Sequence, residues 1–572
     1  MNYAAVGSDL IDLHLMWNRL IAVVEEQALV LQRTAFSPIV REAGDLSAGV
    51  FDVKGRMLAQ AVTGTPGHIN TMALSVGHVL ERFPASTMKP GDAFITNDPW
   101  MGTGHTSDFV VTTPCFHKNK LVAIFSCTCH VVDIGGLGRS VEGADVFMEG
   151  LYIPILKIVD RGDINETLMA MIGGNSRTPT STCGDTYSLI ACNEVGCRRL
   201  VEMMEEFQLV SLDTLAEHII DNSRTAVRAE IAKLPQGTWR NSITLDGFDH
   251  PIQVRAALTI SDKGIHVDFA GTDSTVRRGF NVPICYTLAY TAFGLGCVVA
   301  KGIPNNAGSL EPLTISAPVG CILNAQKPAA VFGRHLVGQM MPDLVFGCLR
   351  QVIPDRVPAE GAGPMWNVGV SGPRTNLPRI GDDFRVTLTS SGGMGALQFR
   401  DGLSTTAFPS GVRGTPVEIA EALTPVVFLR KEYLQDSGGA GRTRGGLGQV
   451  IEIENTLDEM FRFHAMHWRI HYPPRGFDGG GGGSAGYLGL FSGPRLRGMG
   501  VQDVPRGDRL IMRTPGGAGF GDPRKRDRAI VRADLAEGLI SEKAAREVYG
   551  LIEQADVPEA LTAAGLLALG AK

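Results

Sequence analysis

Two strand-like runs, DFVVTTPCF (108–116) and KLVAIFSCTCHVVDI (120–134), flank the short polar stretch HKNK. Both runs are rich in β-branched and aromatic residues, and the break between them has the length of a hairpin connection. The chain must therefore double back here. Asp108 opens the first strand and His130 closes the second, so both come to the same end of the hairpin. Just upstream, the loop NDPWMGTGHTSD (97–108) brings Asn97, Asp98, His105 and Asp108 together among glycines and a proline. His105–Asp108 and His130–Asp133 are thus two H-x2-D pairs tied by one hairpin. That is the pattern of a metal site, although a solvated turn with rim histidines would also read this way.

Around this hairpin the chain alternates helical and strand-like segments. Leu10, Leu13, Leu15, Leu20, Val23, Val24, Leu29 and Leu31 recur at three- and four-residue intervals and predict a helix over 8–35. SPIV (37–40) ends it, because proline disfavours helix in the residue before it. Strands are expected over 47–60 and 92–98, with a helix at 71–83, and residues 186–234 are again helical. Residues 252–271 read as a second hairpin and 286–300 as an apolar helix. The stretch 365–520 is glycine-rich and strand-like, and its DGGGGGSAG (478–486) reads as a flexible loop. The tail reads as two amphipathic helices, the second capped by Ser541. The expected fold class is α+β, a large mixed multi-domain fold. A β-rich metal-binding region with helices occupies 1–240, a second β-rich, glycine-rich domain 241–524, and a helical tail 525–572.

Composition narrows the function. With 70 glycines but no three-residue period, the chain is globular and turn-rich rather than fibrous. A net charge of −6 gives no basic stripe for nucleic acid or a membrane surface. The expectation is no membrane span and no secretory signal. Ten scattered cysteines without a CxxC indicate reduced thiols in a cytoplasmic protein. The five-glycine run lacks the Lys and Ser/Thr of a phosphate loop, and GxSxG, HExxH and GxGxxG are absent.

Further candidates complete the set. Glu42 and Asp45 in REAGDLS follow the first helix and add carboxylates. Two histidines with carboxylates suit Mn²⁺, Zn²⁺ or Fe²⁺. His68 in TPGHIN either lines the same pocket or is a turn residue. Arg177 and Asp185 either bind an anion or fix a loop as an ion pair. Glycine pairs at 390–395, 436–448 and 514–522 are tight turns or anion-binding backbone.

The order of these segments resembles the B subunit of the hydantoinase/oxoprolinase family. The shared stretches are REAGDLSAGVFD, PGDAFITNDPWMGTGHTSD, HVVDIGG, EGLYIPILKI, NSRTPTSTCGD, IPNNAG, PVEIAEALTP, DSGGAGRTRGGLG and GGAGFGDPRKRD. They run from about residue 8 to about 550. The chain departs from the family pattern at Leu46 and Val131 and reads GTGH and TSD before and at Asp108, so the ligands survive but the pocket wall differs, and the resemblance does not fix the substrate.

The resemblance implies a larger A-type partner subunit that binds ATP with Mg²⁺ and phosphorylates an amide or ketone oxygen, in a heterotetramer or higher hetero-oligomer. It implies one divalent metal here, Mn or Zn with Fe as a further option, held by His105, Asp108, His130 and a carboxylate, Asp45 or Glu42, with the other acting on substrate. A hydantoin, lactam or oxoproline ring would then be opened by water activated at the metal, with Asp133 or His68 moving or orienting protons. The alternatives are a ketone carboxylase subunit and a non-catalytic scaffold for the A subunit.

Overall fold

The computed structural model describes residues 3–62, 64–373, 383–457 and 459–551. The N-terminal helix α1 (Tyr3–Thr34) buries Met16, Trp17, Leu20, Val24, Ala28 and Leu31. Leu15 and Leu29 face solvent, so the buried stripe is seamed by Trp17 and Ala28 rather than by every leucine. Pro38 opens the one-turn helix α2 (Pro38–Arg41).

A seven-stranded sheet follows, built from β1 (Leu46–Phe51), β2 (Met57–Gln60), β3 (Ala93–Thr96), β4 (Asp108–His117), β5 (Lys120–His130), β6 (Leu156–Asp160) and β7 (Asp163–Ile164). Its order is β2-β1-β5-β4-β3-β6-β7, antiparallel throughout. Lys118 and Asn119, with φ of 49° and 63°, make the two-residue turn of the β4–β5 hairpin. Helix α3 (Pro66–Arg82) covers one face through Met72 and Val76, against Val110 and Ile124. Helices α4 (Glu166–Gly174), α5 (Pro179–Glu206) and α1 lie over the other face, where Phe109, Val111, Cys127 and Cys129 are buried. Both faces are covered, which is why β4 and β5 read as nearly continuous apolar runs. Proline at the first position of α3 starts that helix before the apolar run at 71, which places His68 in its first turn rather than in a loop.

Helix α6 (Asp213–Ile231) leads to a second sheet of β8 (Gly237–Leu245), β9 (Ile252–Ser261), β10 (Gly264–Asp268) and β11 (Leu313–Ser316). The helices beside it are α7 (Ile284–Val299), α8 (Ala307–Leu310), α9 (His335–Gly338) and α10 (Met341–Leu349). Strands β12 (Trp366–Pro373), β13 (Asp383–Ser390), β14 (Val426–Tyr433), β15 (Gln449–Asn455), β16 (Phe461–Met466), β17 (Tyr487–Leu490), β18 (Met499–Val504) and β19 (Arg509–Arg513) form two antiparallel sheets. These sheets share a core of Trp366, Phe384, Ile451, Phe463 and Leu510, beside α11 (Val417–Leu423). The chain is thus mixed, with several sheets and helices. Helices α12 (Arg528–Ala536) and α13 (Glu542–Glu547) close it, and the Ser541 hydroxyl accepts from the Ala544 N–H as expected. The rest of the expected tail, 552–572, lies outside the described residues.

The five-glycine run is a packed layer rather than a flexible loop. Gly481 donates to Ala440 (2.6 Å), Gly519 to Gly481 (2.9 Å), and Gly517 to Gly446 (2.8 Å). A Cβ on Gly480 would sit 2.3 Å from the Gly519 oxygen, and one on Gly483 2.1 Å from the Gly516 oxygen. Bare backbones from 391–395, 437–448, 476–484 and 515–521 lie side by side, and several of their N–H groups donate to carbonyls of a neighbouring segment.

Candidate metal centre

Strand order assembles the centre. β1 and β4 both pair antiparallel with β5, so the starts of β1 and β4 flank the end of β5. Asp45, immediately before β1, accepts the His130 N–H at its backbone carbonyl (3.2 Å), and Asp108 is in register with His130. Three ligand candidates thus sit in a row at one sheet edge, and the preceding loop folds His105 over them.

Asp108 is fully buried and its two oxygens are used differently. Oδ2 is saturated: it accepts from Thr103 Oγ1 (2.7 Å), Arg334 Nη2 (2.6 Å) and His68 Nε2 (2.9 Å). Oδ1 faces His105 Nε2 (2.7 Å) and His130 Nδ1 (3.1 Å). His105 Nδ1 donates to the Phe332 carbonyl (3.1 Å), so a neutral His105 turns its Nε2 lone pair toward the carboxylate. A lone pair facing a carboxylate oxygen is an arrangement that a cation between them relieves. The two imidazole rings stack at 5.1 Å. His105, Asp108 and His130 offer ligand atoms within 4.8 Å of one another.

The electrostatics suit ligation. Burial, reinforced by Arg334, pushes His105 down to about 3, and burial also lowers His130, so both imidazoles are neutral at pH 7. Burial opposes ionisation of Asp108, but His68 and Arg334, both in contact with Oδ2, outweigh it and hold the carboxyl well below its usual range. For His68, burial is outweighed by Asp108 and Asp45, and its pKa is raised. Arg139 donates to His130 Nε2 (3.0 Å); a metal held through His130 Nδ1 would require that ring's proton on Nε2 and so would displace this hydrogen bond.

The cluster opens on a cavity of about 20 Å³, room for one water or ion. Its walls come from distant parts of the chain: Asp45, Thr65 and His68, then Tyr286, Phe332, Arg334 and His335, and finally Met365 and Asn367. Arg334 stacks over Tyr286 at 4.1 Å and also donates to the Thr103 carbonyl (2.7 Å). Arg334, His335 and Arg139 were missed by sequence reasoning. The signal was present for the first two, as two adjacent ionisable residues inside the apolar run AAVFGRHLVG.

Among the sequence candidates, Asp45, His68, His105, Asp108 and His130 converge. Asp45 lies 3.6 Å from His68 Nδ1 and accepts from Thr65 Oγ1 (3.3 Å). Glu42 does not converge: its carboxylate pairs with Arg41 (2.9 Å), outside the cavity wall. Nor does Asp133, which accepts from the Arg177 backbone and guanidinium at 2.5 and 2.6 Å. β5 ends at His130, and the chain turns before Asp133 can follow it. Arg177 therefore fixes a loop, and Asp185 accepts the Phe36 and Ser37 N–H groups at the start of α2 (2.7 and 3.2 Å). All ten cysteines are free, most of them buried. Among the described residues, no helix is long and apolar enough to cross a membrane.

A family model described as Hydantoinase B/oxoprolinase matches residues 9–523. An uncharacterized protein of Methanocaldococcus jannaschii is 30% identical over 542 residues, 92% of this chain and 93% of that one. Caprolactamase subunit beta of Pseudomonas jessenii is 27% identical over 561 residues, 92% of this chain and 93% of its own. The crystal structure of the ATP-dependent caprolactamase from Pseudomonas jessenii superposes with a TM-score of 0.86 at 25% identity, covering 96% of this chain and 98% of that one.

Proposed function

From the premise that this chain belongs to the hydantoinase B/oxoprolinase family, we propose that it is the metal-dependent subunit of an ATP-dependent cyclic-amide hydrolase. A larger, ATP-binding partner phosphorylates the oxygen of a lactam, hydantoin or oxoproline, and water then opens the activated ring at the centre described above. The protein works in the cytoplasm as part of a hetero-oligomer. Relatives named as subunits support a partner. The observation that carries the reading is the buried His105–Asp108–His130 cluster, with a lone pair and a carboxylate oxygen aimed at one point.

The donor set fits a divalent ion: two neutral imidazoles and one ionised carboxylate, with Asp45 as the fourth group. Such an ion supplies Lewis acidity and a water acid enough to lose its proton near pH 7. The chain's own residues do the rest. Thr103, His68 and Arg334 hold Asp108 so that only Oδ1 faces the cluster. The Phe332 carbonyl fixes the His105 tautomer. His68 Nδ1 is buried, without a hydrogen-bond partner, and placed between Asp45 and the cavity, so it is the group that hands a proton to the departing ring nitrogen. Ring opening by one water would leave an acyl phosphate, which a second water splits into the amino acid and inorganic phosphate. The Arg139 guanidinium, whose Nε is also buried and unpartnered, lines the wall of the centre and would offset the negative charge of the phosphorylated substrate.

Co-expression with the ATP-binding subunit and an ATP-consumption screen over lactams, hydantoins and ketones, with and without bicarbonate, tests this. Bicarbonate-independent ring opening is expected. Bicarbonate-dependent consumption of a ketone would move the chain to the carboxylase reading, and unaltered partner turnover with His105→Ala would reduce it to a scaffold.

A further inference from the structure

The first turn of α3 has two sides. Thr65 and His68, three residues apart, line the small cavity at the cluster. Pro66, Ile69 and Asn70 point the other way, into a cavity of about 1030 Å³ between α3, α7 and the segment 394–411. One helical turn is therefore the wall between a space for a single water and a space for a whole small molecule, at the upper end of the range for ligand pockets.

The large cavity has three kinds of surface. Phe293, Phe346 and Phe408 form an aromatic side, with Phe408 at 5.8 and 6.4 Å from the other two rings. Beside the wall is an amide cluster: the Asn305 side-chain NH₂ donates to Gln60 Oε1 and Asn70 Oδ1, both at 2.8 Å. Exposed Lys301, Arg356 and Arg400 are set against the single carboxylate of Asp355. Apolar faces, side-chain amides and excess positive charge together match a hydrocarbon ring that carries an amide and acquires a phosphoryl group.

Resting on the function proposed above, we propose that this cavity is the chamber in which the cyclic amide, or its phosphorylated form, is held before it reaches the centre, with the Thr65–Pro66 wall separating the two. On the chamber side, Gly411, at φ 76°, lies over Pro66. A Cβ on Gly411 would meet the Pro66 ring at 3.0 Å. The segment 407–411 therefore backs the wall without a side chain of its own at that contact.

Cys297, exposed in this chamber, is a natural handle. The metal-loaded full-length chain is treated with methyl- or benzyl-methanethiosulfonate, each adduct being reversible with reductant, and Cys297→Ser serves as the control for labelling elsewhere. With the partner subunit present, the benzyl adduct should lower kcat/KM for the cyclic amide by about tenfold or more, the scale of a blocked hydrophobic pocket. Metal content should stay unchanged, the methyl adduct should have a much smaller effect, and reductant should restore activity. A benzyl adduct that turns over like untreated protein overturns the chamber. If no cyclic amide is turned over, the function proposed above fails, and the chamber is judged by a second readout: withdrawal of bound Co²⁺ by dipicolinate. The benzyl adduct should slow that withdrawal severalfold, and equal rates overturn the route past the wall.

Discussion

Gly517→Ala tests whether the glycine layer is structural. A Cβ there would lie 2.0 Å from the Met394 carbonyl oxygen, 2.3 Å from its carbon and 2.8 Å from the Gly395 nitrogen. All three are backbone atoms, so no side chain can swing aside. Relief requires the strands to part by more than an ångström, and the bonds Gly517 to Gly446, Gly439 to Gly517 and Gly446 to Met394 (2.8, 2.8 and 2.9 Å) lie across that seam. Overpacking costs about 1–3 kcal/mol and each lost backbone bond about 1 kcal/mol, giving about 4–6 kcal/mol together. That is comparable to the whole stability of a domain. Gly77→Ala is the control: it lies within α3 with nothing within 4 Å of its Cβ, and there alanine should be neutral or stabilising by up to about 1 kcal/mol. Urea midpoints read from the fluorescence of the buried Trp366 and Trp468 compare the two, alongside soluble yield. If Gly517→Ala unfolds at the same midpoint as Gly77→Ala, the layer is loose and the packing argument is wrong.

The other predictions concern the centre and its surroundings. Elemental analysis of protein purified without chelator should find about one divalent ion per chain, with His105→Ala or His130→Ala weakening its affinity by more than the roughly 10–100-fold typical of outer contacts. Asp45→Asn should lose the ion while Glu42→Gln keeps it, because Glu42 is paired with Arg41; the reverse result would exchange their roles. Calorimetry on the isolated chain should show no ATP binding, and micromolar affinity would refute the division of labour between subunits. Burial pushes the Glu149 carboxyl from 4.5 up to about 8. The folded chain therefore holds a proton that the unfolded chain releases, and this stabilisation is complete below about 4.5, shrinks as pH rises and is gone above about 8. Denaturation midpoints measured from pH 5 to 8 should fall in the wild type and flatten in Glu149→Gln.

What could be read from sequence was what a short stretch of chain decides. The β4–β5 hairpin was legible because two nearly continuous apolar runs and a turn-length gap specify it locally, and its register brings Asp108 to His130. Asp133 repeated the H-x2-D spacing, but it lies three residues past the strand end, where its carboxylate is held by Arg177, 44 positions away. His68 was legible as a candidate, but its place was not, because Thr-Pro-Gly signals a turn as readily as it starts a helix. The five glycines were misjudged for a related reason: glycine tells what conformations a backbone can adopt, not what lies against it. Arg334 was invisible as a partner of Asp108, since only the packing of α9 on the N-terminal sheet brings them within 2.6 Å.

The three-part wall of the centre also bears on biosynthesis. Asp45, His105, Asp108 and His130 leave the ribosome long before Arg334, His335 and Asn367. Until those later residues arrive, the buried-to-be carboxylate lacks its guanidinium counter-charge, and the ligand row stands open at a sheet edge. With an ion at the centre, one captured in that interval would be sealed in when the later segments dock, and one that is absent would afterwards have to enter past a closed wall. The metals around the nascent chain would then weigh on occupancy as much as the relative affinities of the finished site.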